Sequence, residues 1–302
     1  MKITLNNEPF DITLENEKSL NELFSGLSEW LNKFGYEIID MEMDDSKLEI
    51  EKFSEWGNIL LENIKILNIN AISGPDRYIS DLQTLYQYIT LLKNAITANN
   101  TSLTTDLLLE LPYVTSAMDT YLTKKDLQKY GILKLQELIA NYQKGTGDKL
   151  EEKKLLLEIL HEITIILQNR IQEVTSPFSE LQNTAELLKD LIPSISDVAV
   201  LLQTGNDKKA MDSVLNFIDL SEKLIRIFPF LKEYGYTDIS KVSINSESFN
   251  GFYKDLNDIL VELVEAFNIK DSILIGDLME YEIAPRITKL LEYINLIEKK
   301  DE

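Results

Sequence analysis

Apolar and polar residues alternate at the start of the chain: Ile3 and Leu5, then Phe10, Ile12 and Leu14, with Asn6-Asn7 between the two runs. Period-two alternation around an Asn-Asn pair predicts a β-hairpin, because Asn tolerates the left-handed backbone that a tight two-residue turn requires. The period then lengthens. Ser19 is placed to cap a helix in which Leu20, Leu23, Phe24, Leu27, Trp30 and Leu31 recur at helical spacing until Gly35 stops it. Alternation returns with Ile39, Met41 and Met43 on one face of a second hairpin, Asp44-Asp45-Ser46 at its tip and Leu48 and Ile50 on the return strand. A fifth β-like stretch, Ile64 to Ile69, ends in Ser73-Gly74-Pro75.

From Asp76 the period is helical and stays so, with breaks at Asn99-Asn100-Thr101, Thr123, Lys144 to Asp148, Ser176-Pro177, Thr204 to Asp207, Phe230 to Ser248 and Asn268 to Asp271. These limits predict about seven helices, several of them long. Phe178, Leu181, Ala185, Leu188, Ile192, Ile195, Ala199 and Leu202 form a heptad seam, and Leu157, Leu160, Thr164, Leu167, Ile171 and Val174 form another. Two such helices joined by a few residues are expected to fold back as an antiparallel hairpin. Their seams are covered either by other helices of the chain or by a second copy, so monomer and homodimer both stay open.

The fold class predicted is α+β, mainly α. Residues 1–73 form a small acidic domain and residues 76–302 an elongated helical bundle, with points of subdivision near 144–148 and 230–248. The order strand, strand, helix, strand, strand, strand over the first quarter of the chain resembles the β-grasp, or ubiquitin-like, fold. That resemblance implies a small sheet packed on one helix. Ubiquitin-type conjugation is not expected, since the chain runs on to Lys299-Lys300-Asp301-Glu302 rather than to a diglycine tail.

Composition narrows the chemistry. The chain has 302 residues, no Cys and one His, so thiolate nucleophiles, disulfides, thiolate zinc sites and His-rich metal sites lack their side chains. A net charge of -21 repels a phosphate backbone and anionic lipid, and no apolar run approaches the eighteen or more residues that span a bilayer, so neither nucleic acid nor membrane insertion is expected. Residues 1–55 hold five lysines, no arginine and fourteen acids, a field suited to a basic protein partner. The opening residues alternate like a strand and lack the apolar run of a signal peptide, which leads to the expectation of a cytoplasmic protein.

Several local patterns resemble sites and read more simply as structure. Glu158-Ile159-Leu160-His161 matches Glu-x-x-His in a single copy, and His161 flanks a heptad seam, where its ring is expected to be partly covered. Asp40 to Glu51 has the length of a calcium loop, but Asp45 stands where glycine is required. Gly145-Thr146-Gly147-Asp148-Lys149 lacks the spacing of a phosphate loop and is read as a turn. The segment Asp277 to Arg286 concentrates charge and an aromatic on one helix: Asp277 and Glu280 share a face, Glu282 can brace Arg286, and Pro285 is expected to kink the helix. Asp277, Glu280, Tyr281 and Arg286 are therefore the candidate partner-binding residues.

No catalytic residue, metal site or cofactor is assigned. The expected function is that of a non-catalytic protein-binding adaptor or assembly factor, acting through helical surfaces and the acidic N-terminal domain. A carboxylate-dependent hydrolase or transferase with an interdomain cleft is one alternative. A cytoplasmic chaperone for secreted or flagellar subunits is another.

Overall fold

The computed structural model describes residues 1–12, 17–124, 126, 135, 137–139 and 149–299. Leu14, the Gly145 to Asp148 turn and the final three residues lie outside that set. The chain divides into two compact units, Met1–Gln87 and Tyr88–Glu302. It is mostly helical, with a small mixed sheet near its start.

In the first unit β1 (Lys2–Leu5) and β2 (Glu8–Pro9) form the expected hairpin, with Asn6 and Asn7 both at positive φ, 51° and 68°. Then come α1 (Leu20–Lys33), β3 (Tyr36–Met43), β4 (Ser46–Leu48), a short α2 (Phe53–Trp56) and β5 (Ile66–Ser73). The sheet order is β2-β1-β5-β3-β4, and the β1–β5 pair is parallel while the others are antiparallel.

Ser19 caps α1 in a reciprocal capping box: its hydroxyl accepts the Glu22 N–H at 3.4 Å, and Glu22 accepts the Ser19 N–H at 3.1 Å. The backbone N–H groups of Lys18 and Ser19, both donating to the Glu22 carboxylate, hold it below the usual carboxylate range. At the other end Gly35, at φ 75°, takes the left-handed position that terminates the helix. Leu20, Leu23, Leu27 and Leu31 are buried in one core with Ile3, Ile38, Met41, Leu67 and Ile69. Each such leucine contributes roughly 1.5–3 kcal/mol on leaving water.

Two sequence expectations change here. Ile39 was expected in line with Met41, yet it is exposed and Ile38 is buried in its place. The register slips between Ile38 and Asp40, and this bulge spends one residue without advancing the pairing, so the inward face moves from 38 to 41. The acidic tip of the second hairpin also has a structural use: the Asp44 carboxylate accepts the Lys65 and Ile66 N–H groups at 3.1 and 2.8 Å, tying the tip to the start of β5.

α3 (Gly74–Thr97) carries the chain into the second unit, which continues with α4 (Thr101–Tyr121), α5 (Lys149–Thr175), α6 (Pro177–Ser196), α7 (Val198–Gln203) and α8 (Asp207–Glu233). A two-rung hairpin, β6 (Ser243–Ile244) with β7 (Glu247–Ser248), precedes α9 (Phe249–Ile269), α10 (Ser272–Asp277) and α11 (Ala284–Ile294). One core joins α6 to α11, with Phe217, Phe252 and Tyr293 among its largest fully buried side chains.

The inward stripe of α5 is Leu156, Leu160, Ile163, Leu167, Arg170 and Val174, displaced by one position from the predicted seam at Leu157, Thr164 and Ile171. A charged residue occupies a core position here, and a hydrophobic pattern cannot register it. α6 packs chiefly on α8 and α11 rather than folding back along α5. The predicted break at Phe230 is also displaced, since α8 passes Pro229 and runs to Glu233, with Ile227 and Leu231 buried on either side of the proline.

Candidate functional site

Pro285 stands at the second residue of α11, not in a helix interior. Between α10 and α11 the residues Leu278–Ile283 form a π turn, in which the Ala284 N–H donates to the Met279 carbonyl five residues back. A proline lacks the N–H for an α-type bond and its ring clashes with the carbonyl four residues earlier; the wider turn removes both conflicts.

This turn determines where the predicted residues lie. Asp277, the last residue of α10, is exposed, Glu280 is half-buried and Tyr281 is 63% exposed. The Tyr281 hydroxyl hydrogen-bonds to Glu280, and that bond, with the negative charges of Glu280 and Asp277, pushes its pKa up. Arg286 turns away to Glu282, whose carboxylate and backbone carbonyl it holds, the latter at 3.0 Å. Asp277, Glu280 and Tyr281 thus act on one another, and Arg286 belongs to a separate pair.

His161 is exposed on α5, not partly covered as expected. Lys93 on α3 lies with its Nζ 3.3 Å from His161 Nδ1, an arrangement in which the imidazole accepts. Glu158, its partner in the Glu-x-x-His pattern, pairs instead with Lys154 at 3.9 Å.

A dense charge cluster went unread in the sequence. Arg170 and Glu173 of α5 are buried, and Glu173 accepts from Arg170 Nη1 at 2.9 and 3.1 Å and from Arg226 of α8 at 3.0 Å through both Nε and Nη2. Arg170 Nη2 donates to Asp126 at 2.8 Å, and Lys223 donates to Glu180 at 2.6 Å. Burial pushes the Asp126 carboxyl up, but Arg170 and the Thr123 hydrogen bonds pull it further down, so it sits below the usual carboxylate range.

A cavity of about 290 Å³ opens beside this cluster, lined among others by Asn169, Asp219 and Glu222. The Arg170 Nε is buried with no acceptor among the described residues. Ionised Asp126 is poised against acid catalysis, and Glu173, which accepts four hydrogen bonds from three nitrogens, is fixed in place. The arrangement clamps α5 to α8.

The first unit holds a different cluster. Trp30 on α1 and Phe34, the residue that caps its C-terminal end, have ring centroids 5.1 Å apart, and Phe10 lies 5.7 Å from Trp30. Trp30 is 44% exposed and Phe34 64%. One turn before Trp30 stands Gly26, where an added Cβ would meet nothing within 4 Å among the described residues. The sequence reading grouped Trp30 with the inward leucines; the spacing 26, 30, 34 was the signal for a second, outward stripe. On the second unit α9 buries Phe252, Leu256, Leu263 and Ala266 yet leaves Val261 52% and Val264 59% exposed.

Residues 1–73 match a family described as the TP0873 N-terminal domain, a range that ends with β5. Residues 179–293 match a family described as Domain of unknown function (DUF8042), a range running from within α6 to within α11 that includes Glu180, Lys223, Arg226 and the π turn. An uncharacterized protein of Treponema pallidum (strain Nichols) is 26% identical over 105 residues, which is 33% of this chain. The chain spans about half the length of that relative, 50% of it. No solved structure matches. Among the described residues no helix is long and apolar enough to cross a membrane.

Proposed function

We propose that the chain is a non-catalytic protein-binding adaptor or assembly factor of the cytoplasm, with one partner surface on each compact unit. The observation that carries this reading is the pairing of chemically different exposed apolar patches, aromatic at the end of α1 and aliphatic on α9, in a chain whose buried Arg170 and Glu173 are paired with each other and with Asp126 and Arg226. Exposed large side chains one turn apart on otherwise polar helix faces are the usual raw material of protein contacts. Tyr281 adds an aromatic of the kind enriched at binding hot spots, and with Asp277 and Glu280 it forms a third, smaller candidate contact.

We infer further that residues 1–73 are a β-grasp domain: a parallel central pair flanked by antiparallel strands, with one helix on one face, supports it. The hydrolase alternative would need a carboxyl held above its usual range. In the cavity beside Arg170 the shift at Asp126 runs the other way.

The test is proximity labelling in cells with two double variants, Trp30→Ser/Phe34→Ser and Val261→Asp/Val264→Asp. The expected result is that each loses a different set of labelled proteins while both keep wild-type thermal unfolding. Unchanged label sets for both would overturn the adaptor reading, and loss of turnover without loss of partners would favour an enzyme.

A further inference from the structure

The partner of the α1 stripe can be specified more closely, an inference that rests on the protein-binding reading above. We infer that Gly26, Trp30 and Phe34 form a docking strip for an arginine-bearing segment of another protein.

Four observations converge on a cation. Trp30 and Phe34 offer aromatic surface to solvent, and ring faces attract cations most strongly at tryptophan. The surrounding segment is strongly acidic, with fourteen acids against five lysines in residues 1–55, so a basic chain is drawn to it and an acidic one repelled. Gly26 keeps the strip bare beside the indole, and among the described residues nothing lies within 4 Å of where its Cβ would be. A glycine inside a helix costs about 1 kcal/mol relative to alanine, and no packing among the described residues accounts for this one. The chain also makes the same type of contact within itself, with Lys289 Nζ 5.8 Å from the Phe252 ring centroid.

Planarity selects arginine over lysine. A guanidinium stacks flat on an indole and keeps its edge donors for nearby carboxylates, whereas an ammonium is compact and more strongly hydrated. A strip without a side chain at Gly26 leaves room for a flat group lying along the helix.

The arginine comes from elsewhere. The chain has four, Arg77, Arg170, Arg226 and Arg286, and each is paired with a carboxylate of its own chain. A second copy would bring the same acidic surface and no uncommitted arginine.

The experiment titrates the full chain with a ten-residue peptide of alternating arginine and serine, against matched lysine and citrulline peptides. Indole emission reports directly, because of the two tryptophans only Trp30 is exposed and Trp56 is buried. The expected result is a saturable change with the arginine peptide, at least five-fold weaker binding of the lysine peptide, no binding of citrulline, and affinity that falls with salt. Gly26→Gln should weaken arginine-peptide binding at least ten-fold by calorimetry without lowering the unfolding temperature, and Trp30→Leu should abolish it.

Equal binding of the arginine and lysine peptides, no saturable change, or full binding by Gly26→Gln would each overturn the inference. So would a homodimer that Trp30→Leu dissociates, since the occupant would then be a second copy. If the peptides fail while Trp30→Ser/Phe34→Ser still loses labelled partners in cells, the docking chemistry is wrong and the adaptor reading stands.

Discussion

Where α5 meets α8, Arg170, Arg226 and Lys223 are matched to Glu173, Asp126 and Glu180 and largely withdrawn from water. At the end of α1, Trp30 and Phe34 stand in the open within a segment whose acids far outnumber its lysines. The first region turns charge inward, and its groups are consumed in holding helices together. The second leaves charge and aromatic surface uncompensated, so its free energy is available to a partner. A cluster's prominence on a map of charges therefore says little about recognition; whether its groups are already satisfied says more.

The strongest way to break this contrast is Glu173→Ala. It removes the carboxylate that Arg226 holds and one of the two that buried Arg170 holds, and should cost roughly 3–5 kcal/mol. Chemical denaturation should read this as a lower midpoint with an unchanged slope. A loss below about 1 kcal/mol would mean that water already satisfies the arginines.

Acid should weaken the same clamp. The Asp126 carboxyl is depressed in the folded chain, so its contribution is present above the unfolded value, about 3.9, and is lost as pH falls through the lower folded value. Denaturation midpoints followed from pH 6 downward should fall more steeply for wild type than for Asp126→Asn.

Two glycines sharpen the comparison. A Cβ on Gly276 would sit 2.7 Å from the backbone and side chain of Ala199, so Gly276→Ala forces α10 and α7 apart and should cost about 1–3 kcal/mol. Gly26→Ala meets nothing among the described residues and should stabilise by up to about 1 kcal/mol through helix propensity alone. A stabilised Gly26→Ala would mark that glycine as retained for something other than folding. The smallest effect belongs to Glu29→Ala: its pair with Lys33, 3.3 Å apart and fully in solvent, should be worth under about 0.5 kcal/mol in the same assay.

What could be read in advance divides along physical lines. The Asn6-Asn7 turn, the Ser19 cap and the Gly35 stop were legible because each depends on backbone preferences of the residues themselves. Ile39 misled because a bulge is decided by pairing across the sheet, not by the strand's own pattern. The α5 stripe misled because Arg170 lies inward, and only partners distant in sequence make that tolerable. The Asp277 to Arg286 segment was recognised as unusual from its charges and proline, but the π turn that redistributes its side chains left no trace in spacing. Trp30 was visible and misassigned, since apolar identity alone does not say which face of a helix a residue takes.

The π turn has a consequence beyond making room for Pro285. Such a turn is the footprint of one surplus residue in a ladder otherwise counted by fours, and each helical residue turns the axis by about 100°. Everything after Ile283 is thereby read out of phase with what precedes it, and only in that shifted phase do Ile287, Leu290 and Ile294 meet the core. The last helix owes its orientation to an apparent counting error upstream, and excising a single residue there would swing Tyr293 from the interior toward solvent.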